Sequence, residues 1–447
     1  MLESRLPSAL QPFTIAQYRR LVLGLTLSLL GAGVWVVALV WQVIALGGGP
    51  VDLSIVATAS AVGMVVTVLF GGALADRIPQ KYILVAVEAV KATAIGTAAG
   101  LSLSGTLEVW HLAVVAFVYG VTEGFFYPAY SAWLPSLLPA EQLLAANGVE
   151  GVLRPTIMQA GGPALAGALL AFAPPGVALC VIAGSQVLAA VVLASMATTP
   201  VRREKSETAM HPLRATFLDI GEGFRYMVKT SWLFATLIFA CLMILVVMGP
   251  IEVLLPFAVR DQTGGGAGAF ALVLACFGIG GAIGSIVVAS LPLPRRYLTL
   301  MNLLWGAGCI PLVVIGYTDQ LWLMAVAVFI TGFTFQAASV IWGTLLQRRV
   351  PAAMLGRVSS LDFFVSIALM PVSMALAGPV GEAIGVPVTF VVAALVPTVL
   401  AVATILIARL PQDEIRNPLD RAPSKATSMT DTGTDAGEPP PPGGAQS

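Results

Sequence analysis

The chain has 447 residues, 57% of them hydrophobic and only 10% charged, and its mean hydropathy of +0.91 excludes a water-soluble surface. Its 23 basic and 23 acidic residues cancel, so net charge points to no nucleic-acid or acidic partner. In lipid only helices and closed barrels satisfy every backbone polar group, and a helix needs about 20 apolar residues to cross.

Residues 1–20 are too polar for a cleavable signal, and the apolar run after them is too long for one. Apolar runs predict spans at 21–46, 51–73, 82–104, 110–133, 144–170 and 176–197, a first bundle covering 21–197. The longest polar interruption, 198–230, follows. Its stretch Leu213–Lys229 mixes apolar and charged residues as an interfacial helix does, and Pro212 suits a first helical position. A second bundle, 231–409, holds predicted spans at 231–256, 266–290, 297–317, 321–345, 355–378 and 386–409. The tail, 410–447, is rich in Pro, Gly, Ser, Thr and Asp, cannot bury a core and is expected to be disordered. The predicted fold is an all-α membrane protein with twelve transmembrane helices in two six-helix bundles. Cys180, Cys241, Cys276 and Cys309 all fall in apolar runs without His or Cys partners at ligand spacing, so no metal site is expected.

Cytoplasmic loops retain Lys and Arg. Arg5, Arg19 and Arg20 precede the first span, Arg77 and Lys81 follow the second, and Arg202 to Lys229 supply six bases in the linker. Arg295, Arg296, Arg348, Arg349, Arg357 and Arg409 recur on the same side, against Arg260 alone on the other. The expectation is a multi-pass plasma-membrane (inner-membrane) protein with both termini cytoplasmic and an even number of spans.

Between the second and third spans stands GGALADRIPQK, Gly71–Lys81, a short turn with an acid, two bases and close-packing glycines. It resembles the loop signature of the major facilitator superfamily, G-x-L-A-D-R-x-G-R-K. Gly72, Leu74, Ala75, Asp76, Arg77 and Lys81 match it, while Pro79 and Gln80 depart from it and remove one charge. The resemblance implies a conformational latch in which Asp76 meets a neighbouring helix N-terminus and Arg77 pairs with carboxylates on adjacent helices. A solvated loop that only sets topology is the alternative. The corresponding loop of the second half, Ser290–Arg296, keeps the bases but has no acid. GGPALAG, with Gly161, Gly162, Pro163 and Gly167, resembles the Gly-Pro motif of the superfamily's antiporters, although ordinary close packing around a bent helix uses the same residues. The stretches Tyr127–Gly148, Gly223–Leu233 and Gln347–Ser360 narrow the resemblance to the branch holding macrolide and tetracycline efflux proteins of actinobacteria and the enterobactin exporter. It covers every span and leaves out the tail.

Ionisable side chains inside spans are costly, so each is a functional candidate. Glu88 and Lys91 are three residues apart, and Glu150 and Arg154 four apart, so each pair can neutralise itself along one helix face. In the superfamily fold the third span is peripheral, which lowers the interest of Glu88 and Lys91. Glu123, midway along the fourth span, has no base three or four residues away. It is the leading proton-coupling or cation-binding candidate, with a structural pair to Arg154 as the alternative; Asp362 and Glu252 are weaker candidates. The resemblance places spans one, four, seven and ten around the cavity, which makes Trp35, Trp41, Gln42, Tyr119, Phe126, Tyr130, Met243, Met248, Phe333, Gln336 and Trp342 candidate lining residues, though all equally suit helix packing.

No phosphate-cradling loop is present, and His111 and His211 both fall near interfaces, so neither ATP drive nor an enzymatic site is expected, and no cofactor. The implied function is proton-coupled efflux, by antiport, of amphipathic small molecules or drugs through alternating access. Export of a siderophore or lysolipid, and a non-transporting receptor or scaffold, are the alternatives. The expected partners are a small-molecule substrate, protons and membrane lipid, with the chain acting as a monomer.

Overall fold

The computed structural model describes residues 8–75, 77–199 and 212–419. After a 3-10 turn, Ser8–Thr14, the first half comprises α1 (Ala16–Ala45), α2 (Pro50–Ala75), α3 (Gln80–Leu103), α4 (Val109–Leu137), α5 (Ala140–Leu153), a π-helical segment (Arg154–Gly161), α6 (Gly162–Phe172) and α7 (Pro175–Ala194). The linker helix α8 (Pro212–Lys229) leads into α9 (Ser231–Gly249), a second π-helical segment (Pro250–Leu254) and α10 (Leu255–Thr263). The second half continues through α11 (Ala267–Ser290), α12 (Tyr297–Ala307), α13 (Leu312–Tyr317), α14 (Leu321–Arg349), α15 (Ala352–Ile367), α16 (Met370–Ile384), α17 (Val386–Ile407) and α18 (Leu410–Arg416).

Eleven helical stretches among the described residues are long and apolar enough to cross a membrane. The course expected as the fifth span, 144–170, is helical throughout but broken in register. Pro155 and Pro163 have no N–H to give, and the bonding slips from four residues to five: the Gly162 N–H bonds Ile157 O. The same slip recurs at Pro250, where the Leu255 N–H bonds Pro250 O. Large apolar side chains such as Leu23, Ile55, Val191, Ile286, Val399 and Leu406 stand exposed, which suits a hydrocarbon surround and not water.

The two halves repeat one neighbour scheme. α2 packs on α4 as α11 packs on α14, α3 on α7 as α12 and α13 on α17, and α1 on α7 as α9 on α17. Glycines set the tightest of these crossings: a Cβ on Gly120 would meet the Ser60 carbonyl of α2, and one on Gly280 the Phe329 carbonyl of α14. The π-helical segment Arg154–Gly161 packs on α11 across the halves, which meet most extensively through two equivalent contacts, α2 with α16 and α6 with α11. Both lie toward the end that carries the Gly47, Gly264 and Gly385 turns, opposite the end that carries Arg20, Lys81, Arg296 and Arg349. There the Gly378 N–H donates to Ser54 Oγ at 2.7 Å, Gly167 abuts Gly268 and Ala271, and Trp41 stacks on Phe270 at 5.7 Å.

The start of the expected disordered tail is ordered instead. α18 turns back with Leu410 and Glu414 buried; the rest of that segment, from 420, lies outside the described residues.

Candidate functional site: a buried charge trio and an acidic cavity

Glu123 does not lack a base. Lys91 Nζ of α3 donates to Glu123 Oε1 of α4 at 2.5 Å and lies 3.8 Å from Glu88 Oε1 on its own helix. The expected pairing of Glu88 with Lys91 along one helix is present, but it is not self-contained, because Glu123 of α4 shares the same ammonium. At 3.8 Å the pair along the helix is a looser contact than the one across it, because the lysine stem leans over α4. Nor does Glu123 pair with Arg154, which instead bonds Glu150 at 3.1 Å as their spacing predicts. Lys91 and Glu88 are 1% and 0% exposed, whereas Glu123 is 34% exposed. Ser28 of α1 donates to Glu88 Oε1 at 2.8 Å, and Glu88 Oε2 has no partner. The ammonium also lies 5.2 Å from the Tyr119 ring centre and 4.9 Å from that of Phe126, both cation–π distances. Two carboxylates thus share one ammonium inside aromatic walls, and the most accessible of the three is Glu123.

The Glu150–Arg154 pair sits at the start of the π-helical segment, which packs on α11 of the other half. In the antiporter-like motif each of two glycines has a packing partner: Gly162 lies against Gly33 of α1, and Gly167 against Gly268 of α11. Pro163 ends the π register.

The second polar feature is Glu252, on the π-helical segment between α9 and α10. Its side chain opens into a cavity of about 260 Å³ between α9, α11, α12 and α14, walled by Met243, Phe277, Trp305 and Phe335 and reached by Gln159 from the first half. A larger depression of about 620 Å³, lined by Asp261, Tyr317 and Asp319, is open surface between loops and holds none of the intramembrane charges.

Of the side chains expected to line a cavity, Met243 and Met248 of α9 do line this one, and the others stand elsewhere. Trp35 stacks on Tyr119 at 5.3 Å and Phe126 on Tyr130 at 6.3 Å, all four buried within the first half. Gln42 accepts from Ser102 Oγ at 2.8 Å. Phe333 and Gln336 pack against Gly284 and Gly281 of α11. In α14 it is the neighbouring face, Thr331, Thr334 and Phe335, that looks into the cavity. Asp362 accepts from Trp342 Nε1 at 3.0 Å and ties α15 to α14. Of the latch residues, Asp76 lies outside the described residues, Gly72 falls within α2, and Arg77 is exposed in the turn. Lys81 donates to the Met196 carbonyl at 2.5 Å, and Arg20 to the Ser195 carbonyl at 2.8 Å, so both bases cap the free carbonyls at the end of α7.

Paired pseudo-symmetric helical halves with eleven membrane-length helices among the described residues agree with the family that the chain matches, which makes the protein a multi-pass membrane transporter of small molecules and not an enzyme. The chain belongs to the Transmembrane secretion effector family of the major facilitator superfamily, whose family model matches residues 7–433. It is 27% identical to Macrolide efflux protein A of Streptococcus pyogenes over 81% of this chain and 89% of that protein. It is 28% identical to the Multidrug efflux pump Tap of Mycolicibacterium fortuitum over 85% and 93% of the two chains. The crystal structure of the nucleoside transporter NupG superposes with a TM-score of 0.68 at 13% identity, covering 88% of this chain and 98% of that one, a likeness of fold alone.

Proposed function

We propose that the protein is a proton-coupled exporter. In this reading it works as a lipid-embedded monomer with both termini in the cytoplasm, and it moves amphipathic small molecules outward by rocking two six-helix bundles, twelve crossings in all. The carrying observation is the Glu88–Lys91–Glu123 trio. With all three members ionised the group is formally −1, so a single proton makes it neutral, the cheaper state in a low-dielectric site. Glu123, the member that reaches water, is the proton's point of arrival. Protonation there removes the counter-charge of the 2.5 Å contact and leaves Glu88 to hold Lys91, which changes how α3 grips α4. The contacts at the Gly47 and Gly385 end support a resting form closed outward and open toward the cytoplasm. The efflux named in both relatives supports the direction.

The test uses everted vesicles with an imposed proton gradient and a fluorescent amphipathic amine. Substrate addition should release protons in the wild type, and Glu123→Gln should abolish that release while leaving substrate binding intact. Unchanged coupling in Glu123→Gln removes the trio from the mechanism. Absence of gradient-dependent flux for every member of a broad substrate panel restores the receptor reading.

A further inference from the structure

The two halves match in packing and differ in chemistry. α12 and α14 pack together as α3 and α4 do. Measured from the helix starts, Trp305 of α12 and Gly308 at its C-cap stand where Glu88 and Lys91 stand on α3, and Thr331 and Phe335 stand on α14 where Tyr119 and Glu123 stand on α4. All four of these second-half residues line the 260 Å³ cavity. Where the first half places a lysine stem between carboxylates and aromatic rings, the second half has a cavity walled by aromatic rings, and its carboxylate comes from another helix as Glu252. No Lys, Arg or His lines that cavity, and Glu252 has no hydrogen bond or ion pair among the described residues. Trp305 cannot supply one, because its Nε1–H donates to the Phe335 carbonyl at 3.2 Å.

We infer that this cavity binds a monovalent organic cation, with its ammonium on Glu252 and its apolar body against Met243, Phe277, Trp305 and Phe335. The inference rests on the small-molecule transport reading and names the substrate class. Glu252 is exposed to the cavity, whose walls are otherwise mostly apolar, and a cation that also meets aromatic faces supplies the counter-charge those walls lack. An anion meets only repulsion there, and a neutral ligand leaves the carboxylate uncompensated. The cavity volume lies just below the roughly 300–1,000 Å³ of drug-sized pockets, so it suits an arylalkylammonium or the cationic head of a longer amphipath.

The experiment measures binding of radiolabelled benzyltrimethylammonium to the full chain in nanodiscs at neutral pH, in competition with neopentylbenzene, its neutral isostere. The wild type should bind the cation saturably and prefer it to the isostere. Glu252→Gln should weaken cation binding by about fivefold or more, since Glu252 is accessible to water from the cavity and water screens the pair it makes. Its affinity for the neutral isostere should stay the same, which also shows that the cavity still forms. Glu252→Asp should keep a measurable part of the cation preference. Equal cation affinity in Glu252→Gln, or no preference for the cation over its isostere in the wild type, overturns the assignment. If cation binding depends on Glu252 but no gradient drives flux, the exporter reading fails and this site stands; coupled flux with cation binding indifferent to Glu252 sinks this site alone.

Discussion

Replacing Lys91 with methionine probes the trio most directly. Methionine keeps a flexible apolar stem and deletes the ammonium, leaving Glu88 and Glu123 facing each other without a cation. Removing one member of a buried ion pair costs about 3–5 kcal/mol. Because Glu123 is a third exposed, water screens its share, which puts the expectation near the lower end, about 3 kcal/mol. At roughly 2–4 °C per kcal/mol for a unit the size of the first half, the unfolding midpoint should fall by about 6–12 °C. Tryptophan fluorescence of the detergent-solubilised protein, scanned at one fixed rate, measures this. The double variants sharpen the test. Lys91→Met with Glu88→Gln should recover most of the loss, since the surviving carboxylate, Glu123, can hydrate. Lys91→Met with Glu123→Gln should recover less, since Glu88 is sealed in with only Ser28 donating to it. A Lys91→Met midpoint within about 2 °C of wild type, less than 1 kcal/mol by the same conversion, refutes the argument, and so does the reverse order of rescue.

Gly120→Ala drives a Cβ into the Ser60 carbonyl and should cost about 1–3 kcal/mol with loss of folded yield. Gly100→Ala meets nothing within 4 Å and, being helical, should stabilise by about 0.5–1 kcal/mol; matched thermal scans compare the two. Ser54→Ala removes the bond that Ser54 Oγ accepts from the Gly378 N–H, a cost of about 0.5–1.5 kcal/mol to that end of the interface. Spin labels at Gly49 and Glu382 should then show a longer, broader distance distribution, and an unchanged one removes that bond from the closure. Glu414 accepts from the Thr299 N–H at 2.6 Å and the Thr299 hydroxyl at 3.0 Å, so Glu414→Ala should cost about 0.5–2 kcal/mol as a lost helix cap. Burial holds the Glu414 carboxyl above its ordinary range, partly offset by those Thr299 bonds. A carboxyl raised in the folded state binds its proton more tightly there, so its contribution to stability declines as pH rises from the unfolded value of about 4.3. Glu414→Gln should flatten that decline in a series of unfolding midpoints against pH.

What the amino-acid sequence made legible was the part set by composition: long apolar runs, the break at the linker and the one-sided placement of bases. Spacing along a helix also found Glu150 with Arg154. It misled at Lys91, because spacing reports neighbours on one helix and the decisive partner, Glu123, sits on another. Apart from Met243 and Met248, the lining residues are missed for a related reason. Helices apolar on every face carry almost no signal for which side faces a cavity, so the sequence points to Phe333 and Gln336 where Phe335 and Thr331 stand. The π-helical segments did leave a trace in the paired prolines Pro155 with Pro163 and Pro250 with Pro256, each pair removing two N–H donors within a few turns. The cavity beside Glu252 left only Glu252, Met243 and Met248 as traces, since its volume depends on the small Gly308 and on the packing of four separate helices.

The acid that the second half lacks between its bases and α12 is supplied from elsewhere in the chain. α18 brings Asp413 to Arg349 at 2.5 Å and Glu414 to the first turn of α12, while Arg349 also lies 4.5 Å over the Trp232 ring at the start of α9. In the first half the same end is held with the opposite polarity: Lys81 and Arg20 grip the terminal carbonyls of α7. One half places bases on a helix C-terminus and the other an acid on a helix N-terminus, and both choices satisfy free backbone groups and complement the helix dipole. The outcome is equivalent, since in each half the segment following the last span is tied to the helix that starts at that end, α3 in one and α12 in the other. Each bundle is thereby braced within itself at its basic end, and the contacts that cross between bundles, Ser54 with Gly378 and Gly167 with Gly268, lie at the opposite end. Bracing within halves, with the most extensive contacts between them toward one end, is the distribution of contacts that the proposed rocking of the two bundles requires.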